Sequence, residues 1–427
     1  MNDSSYSNRP KHCGKSKTCP ENRRRVSINK PFHTDCELME NTGPIAFFVP
    51  SLTVGGAERV TVSVANGLSK RGYDVDLVVS YNEGDFRTDV AGSVNVVDLG
   101  TQRIPGIGIG ASVPALVRYL RRQSPQILFS QMTYANDMHM ISQILSGADT
   151  TAISTIHNTL GMQEESKEKL VQWLQRRLAG QSDQFVAVSE GVAKSIVEHV
   201  GVDREKVSVL HNPIPVDEVQ ERAGKPVDHP WIESANIDVV LGVGRLERAK
   251  NFGSFLRAFE RVHAARPDTR AIIVGRGSKR AELETLAAEL GIDAAVSFPG
   301  FVDNPYGYMA GSDVLAMSSV HEGLPTVLIE ALACGCPVVS TDCPSGPAEI
   351  LKDGEYGPLV DVDDDEGLAA AIRTTLDEPL PSDVLIERAN DFAPAAVIDQ
   401  YEAFIRNFVS VETTDSVDKR SEPLTPS

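Results

Sequence analysis

DVLAMSSVHEGLPTVLIEALACGCPVVSTD (residues 313–342) decides the fold. It opens with an apolar run of strand length, DVLAMSS (313–319), and closes with another, PVVSTD (337–342). Between them, Pro325 suits a first helical turn, where a missing N–H costs nothing. The spacing predicts a helix from Pro325 to Ala333, stopped at Gly335. Glu322 then lies in the loop at the end of the first strand, and Glu330 on the helix. The amides from Gly323 to Val327, apart from Pro325, are free donors at the positive end of the helix dipole. Such a place attracts anions, phosphate above all. A carboxylate ahead of these amides and another behind them can each accept hydroxyl groups.

Outward from this stretch the same alternation continues in both directions. IAFFVPSL (45–52), DVDLVVS (74–80), VNVVDL (94–99), QILFSQ (126–131), TAISTIH (151–157), QFVAVS (184–189) and VSVLHNP (207–213) read as strands, most preceded by a helical segment. After a polar, proline-containing break at 214–235 come DVVLGVGRL (238–246), RAIIVGRG (270–277), AVSFPGF (295–301) and, past the opening stretch, YGPLV (356–360). Near-continuous Val/Ile/Leu runs between helices predict parallel sheets covered on both faces. The expected organisation is a basic extension over 1–42, an acceptor domain over 43–215, a linker over 216–236 and a donor domain over 237–394. A helix over 395–409 returns to the first domain, and a polar tail covers 410–427. In such α/β domains ligands bind beyond the carboxyl ends of the strands, so the cleft between the domains is the expected site.

Further basic and glycine-rich pieces fall at strand ends. GVGRLERAKNF (242–252) places Arg245 and Lys250 where they can neutralise a departing diphosphate. Gly242 and Gly244 lack the third glycine of a dinucleotide fingerprint, Glu247 standing in its place, so an NAD site is disfavoured. Gly275 lies in the strand–glycine–helix junction IIVGRG, Gly55 and Gly56 in PSLTVGGAER (50–59), and His157 at the end of TAISTIH. DVDDDE (361–366) reads as a solvated helix start.

The formal net charge of −18 excludes a nucleic-acid-wrapping surface. Residues 1–31 run against it with eight basic and two acidic residues, and read as a tail that is neither a signal peptide nor a membrane anchor. Cys13, Cys19 and Cys36 with His12 and His33 match no common zinc spacing, and Cys334-Gly-Cys336 is too tight for an ordinary disulfide. Reduced thiols and a cytoplasmic protein, at most touching the inner face of the plasma membrane, are expected. GIGIGASVPALVRYLRRQ (106–123) carries an apolar stripe with Arg118, Arg121 and Arg122 offset from it, either a solvated edge or a basic rim against anionic lipid.

Taken together, GGAER, TIHNT, VSEGV, VLHNP, GRLERAK, IVGRG, FPGF and EGLPTVLIE followed by GCPVVSTDCPSGPAEI resemble the retaining nucleotide-sugar glycosyltransferases of family 4, from about residue 44 to 408 and in the family's order. The resemblance implies a GT-B fold, two Rossmann-like domains around a cleft, with no metal and no cofactor. It implies that Glu322 contacts the donor sugar, Glu330 the ribose hydroxyls, and Arg245 and Lys250 the diphosphate. His157 would lie near the transferring centre. Gly55 and Gly56 would let the first domain close over the phosphates. Gly323, Leu324 and Thr326 would add backbone or hydroxyl contacts; Gly275, by its strand–glycine–helix junction rather than by the resemblance, is placed beside the base. The donor would be a UDP-sugar, with GDP-mannose as the other candidate, and the acceptor a glycan or a lipid-linked glycan. The alternative is a catalytically silent nucleotide-sugar-binding subunit.

Overall fold

The computed structural model describes residues 43–409 apart from 54, 103–107, 161–176, 179–180 and 235. The basic extension, its cysteines and the tail after 409 lie outside these residues. The chain forms two all-parallel sheets. The first is built from β1 (Ile45–Val49), β2 (Val75–Val79), β3 (Asn95–Asp98), β4 (Ile127–Gln131), β5 (Thr151–Ile156), β6 (Gln184–Ala187) and β7 (Val207–Val209). Its order is β3-β2-β1-β4-β5-β6-β7. The second is built from β8 (Asp238–Val243), β9 (Thr269–Val274), β10 (Val296–Gly300), β11 (Val314–Met317), β12 (Val338–Thr341) and β13 (Leu359–Val360), in the order β10-β9-β8-β11-β12-β13. β1, β2 and β4 are buried along their whole length; β1 is wholly apolar, and the one charge among them, Asp76 of β2, accepts from Tyr119 and Asn95.

Helices α1 (Gly56–Lys70), α2 (Val113–Gln123), α3 (Thr133–Ser146) and α4 (Glu190–Val200) cover the first sheet. In the second half are α5 (Val216–Ala223), α6 (Phe252–Ala265), α7 (Arg280–Glu289), α8 (Pro305–Ala310), α9 (Thr326–Ala333), α10 (Pro347–Ile350), α11 (Asp365–Asp377) and α12 (Ser382–Asn390). The last helix, α13 (Pro394–Val409), buries Val397, Ile398, Tyr401, Phe404 and Ile405 in the core of the first sheet, among Phe47, Leu77 and Phe129. The chain thus crosses between its halves twice. The polar break carries α5, in which Val216 and Val219 are the buried residues; so short a stripe does not register as helical periodicity. Asp364 caps α11, its carboxylate accepting from the Gly367 amide, so DVDDDE starts a helix. α2 buries Leu116, Tyr119 and Leu120 and leaves its arginines exposed; Arg121 donates to the carbonyls of Leu145 and Ser146 at the end of α3.

The strand orders fix where a ligand can sit. Sequential strands run outward to one side from β1 and to the other from β4, and the same reversal falls between β8 and β11. At such a switch point the two connecting loops part and leave a crevice beyond the strand ends. Both halves also share one apolar cluster, from Phe185, Val192 and Ile196 to Leu241, Leu324 and Leu328.

Candidate functional site

The loops leaving β8 and β11 carry Arg245 and Lys250, and Glu322, Gly323 and Leu324, to one switch point. Arg245 follows β8 and is exposed. Lys250 ends a short 3-10 turn, its stem lying along Gly244, and its Nζ stands 2.5 Å from Glu322 Oε1. Both side chains are largely shielded from solvent. Two hydrogen bonds hold the two loops together, and a third ties the second loop to the end of β12. Val320 N donates to Ala249 O at 2.9 Å, Ser318 Oγ to Lys250 O at 2.9 Å, and Thr341 Oγ1 to Ser319 O at 2.6 Å.

Pro325 sits just before α9 rather than inside it, with its carbonyl accepting from Leu328 N. The amides of Gly323, Leu324, Thr326 and Val327 have no partner among the described residues. They face a helix start with no side-chain cap, an arrangement that favours an anion. Glu330 lies one turn further in. Burial pushes its carboxyl above the usual range, while Arg59, Arg222 and Lys250 pull it back down.

From the first half, His157 follows β5 and its Nε2 contacts Gln131 Oε1, at the end of β4, at 2.7 Å. Because a carboxamide oxygen only accepts, Nε2 carries the proton and Nδ1 is the free acceptor of the neutral ring. Burial lowers the His157 pKa to about 4, so the ring is neutral at ordinary pH. The two halves meet closely here: a Cβ on Gly323 would lie 2.0 Å from the His157 carbonyl oxygen. Only glycine fits.

The remaining glycines divide. Gly55 is the cap residue of α1, with the Glu58 carboxylate reaching back over it, and Gly56 is open to solvent. Gly275, at φ +147°, packs where a Cβ would lie 1.8 Å from the Gly244 carbonyl oxygen, so its identity is explained by strand-end packing alone. Leu324 is buried in the shared apolar cluster, and Thr326 opens α9 half-buried.

Sequence reading missed three participants. Arg59 on α1 lies within electrostatic reach of Tyr306 of α8, of Glu330 and of Glu218, the last 3.8 Å away. Its place three residues after the paired glycines was the available signal. Ser189 and Ser345, one from each half, both reach the Gly323 carbonyl. Both lie in motifs quoted above, VSEGV and GCPVVSTDCPSGPAEI, but nothing local to either motif points to their shared partner. Among the described residues, no group of three or more His, Cys, Asp or Glu side chains is placed to hold a metal ion.

With this geometry established, the chain was compared with known proteins. Residues 54–218 match the model of glycosyltransferase family 4, and residues 231–395 match that of glycosyl transferases group 1, so the two matches flank the break and take in nearly all of both sheets. The chain belongs to the group 1 glycosyltransferases of family 4. One relative of this glycosyltransferase is the N-acetylgalactosamine-N,N'-diacetylbacillosaminyl-diphospho-undecaprenol 4-alpha-N-acetylgalactosaminyltransferase of Campylobacter jejuni. It is 26% identical over 340 residues, spanning 78% of this chain and 90% of that one. The lipopolysaccharide core biosynthesis glycosyltransferase LpsE of Rhizobium meliloti is 28% identical over 360 residues, 81% and 94% of the respective chains. Among solved structures, Anabaena Alr3699/HepE in complex with UDP superposes with a TM-score of 0.70 at 21% identity, covering 85% of this glycosyltransferase and all of that chain. The fold is GT-B. No helix among the described residues is long and apolar enough to cross a membrane.

Proposed function

We propose that this glycosyltransferase moves a hexose or N-acetylhexosamine from a UDP-sugar to a glycan or lipid-linked acceptor, with retention of anomeric configuration. The observation that carries the reading is the loop 322–327. It has the Lys250–Glu322 pair directly ahead of a row of unpartnered amides, with Glu330 behind them and the His157 backbone packed against Gly323. As the glycosyl–phosphate bond breaks, positive charge grows on the anomeric carbon and negative charge on the diphosphate. Lys250, Arg245 and the α9 amides answer the second, and the Glu322 carboxylate and neutral His157 the first and the sugar hydroxyls. Glu330 takes the ribose hydroxyls. The acceptor hydroxyl approaches from the leaving-group side. The UDP held by the Anabaena protein favours uridine over guanosine as the base, and the undecaprenol in the name of the Campylobacter relative favours a lipid carrier.

The test is a panel of UDP-glucose, UDP-galactose, UDP-N-acetylglucosamine, UDP-N-acetylgalactosamine and GDP-mannose. Each is scored for slow donor hydrolysis and for a rise in melting temperature. One UDP-sugar should be hydrolysed faster than the others and stabilise the fold. Tight UDP binding with no hydrolysis or transfer from any donor would instead mark a silent binding subunit.

A further inference from the structure

The donor loop is fastened by a pair of hydroxyl groups that belong to different halves of the molecule. Ser189 Oγ lies 2.8 Å from the Gly323 carbonyl oxygen, Ser345 Oγ 2.7 Å from the same oxygen, and the two hydroxyls 2.8 Å from each other. All three residues are buried. Ser189 also caps α4, accepting from Val192 N at 3.3 Å. Two hydroxyl protons serve three contacts, so one contact at a time lacks a hydrogen. Whether both hydroxyls donate to the carbonyl or one donates through the other, Gly323 O always accepts at least one bond.

The surroundings are shaped for this contact. Ser345 holds φ +132°, a strained region for a residue with a side chain, and Gly346 beside it holds φ +93°. A Cβ on Gly346 would lie 2.3 Å from Pro325 Cδ, and one on Gly191 would lie 2.6 Å from the Ser345 Cα. The backbones at 189–191, 345–346 and 323–325 therefore approach as closely as glycine allows. The peptide between Gly323 and Leu324 is planar and trans, so a carbonyl tied on one side sends the Leu324 N–H to the other. That N–H is one of the unpartnered amides, and Glu322 is the residue immediately before the fastened peptide.

We propose that Ser189 and Ser345 are positioning residues: their hydroxyls jointly hold the Gly323 carbonyl, aiming the Leu324 amide and the Glu322 carboxylate at the reacting donor only while the two halves are engaged. The inference rests on the reading of loop 322–327 as the donor seat. Each hydroxyl can substitute for the other, so the two losses should be more than additive.

The experiment uses the full chain and the UDP-sugar that it hydrolyses fastest. Ser345→Ala should lower kcat three- to tenfold, and Ser189→Ala/Ser345→Ala at least a hundredfold, with the Kd for UDP held within threefold. Ser189→Thr, which keeps a hydroxyl and the α4 cap, should stay near wild type and, combined with Ser345→Ala, should do no worse than Ser345→Ala alone. Melting temperatures separate loss of the cap from loss of the loop contact, since Ser345→Ala leaves the cap intact. Wild-type turnover in the double alanine variant would overturn the proposal. So would a loss that appears equally in kcat and in UDP affinity, or one that Ser189→Thr fails to rescue. Glu322→Ala serves as the reference. If it lowers turnover while the double serine variant does not, the clamp fails and the donor seat stands. If Glu322→Ala retains full turnover, the donor seat itself fails.

Discussion

The two sheets are built alike, yet their polar interiors differ. In the second half, among the described residues, the buried side-chain atoms lacking a hydrogen-bond partner belong to Asn304 and Ser319. In the first half they belong to Asn136, Asp137, His139, Ser142, Thr150, Thr155 and three others. Most buried polar groups in folded proteins are partnered, so the first half departs from the rule and the second keeps it. In the second half Lys250 and Glu322 are paired and the loop 322–327 is fastened, an arrangement of the kind electrostatic preorganisation requires. The first half retains buried polar atoms with no hydrogen-bond partner among the described residues. Most of them lie on α3 and β5, the elements behind Gln131 and His157.

That contrast is broken most directly at Glu322. We expect Glu322→Ala to lower turnover by about a thousandfold, the scale for removing a group aimed at developing charge. UDP affinity, by calorimetry, should stay near wild type, because the carboxylate's partner Lys250 remains available to the diphosphate. Unchanged turnover would remove Glu322 from the chemistry. Gly323→Ala comes next. Its Cβ would meet the His157 carbonyl at 2.0 Å, so the halves must part or the loop must shift. A displacement of about 1 Å at a reacting centre costs on the order of a hundredfold in rate. Comparing initial rates of donor hydrolysis with the thermal midpoint tells whether the damage is local.

Glu330→Ala should be milder and of another kind. A lost hydrogen bond to a charged group is worth about 1.5–3 kcal/mol, which corresponds to a roughly ten- to hundredfold weaker Kd for UDP. Turnover at saturating donor should change little. If turnover collapsed and affinity held, Glu330 would belong to the transferring centre rather than to the ribose.

How much of this was readable in the chain differs between the halves for a physical reason. Parallel strands buried on both faces write themselves as unbroken apolar runs, and Pro325 and Gly335 bracket α9, so the sheets and the position of Glu322 relative to Glu330 could be read locally. The helix α5 could not, because its buried stripe is only Val216 and Val219. Nor could the fastening of loop 322–327. Ser189 looks like an ordinary helix cap, and its second partner, the Gly323 carbonyl, is 134 residues away. Arg59 reads as a solvated helix residue until α8 brings Tyr306 to it. Contacts between the halves leave no periodicity in either.

The smallest effect, and the one that probes the first half alone, is at Asp137. Its side chain is buried, its Oδ1 has no hydrogen-bond partner among the described residues, and desolvation raises its pKa to about 6 from the usual carboxylate value near 4. A carboxyl whose folded pKa is raised binds its proton more tightly in the native state. Its contribution to stability is therefore fully present below about pH 4 and is lost as pH rises through 6. His139, two residues along α3, works the other way. Burial holds its pKa near 3, so stability falls as pH drops from about 6.5 toward that value. In the native protein the two slopes oppose each other between pH 4 and 6. Asp137→Asn should remove the first and leave the second. At pH 7.5 the variant should be more stable by up to about 2 kcal/mol, the size of the shift converted at about 1.4 kcal/mol per unit and reduced for relaxation. At pH 4 it should gain nothing, and its melting temperature should fall more steeply on acidification than that of the wild type. Parallel curves for the two proteins across that range would show that Asp137 has found a partner, and that the polar interior of the first half is better satisfied than its geometry indicates.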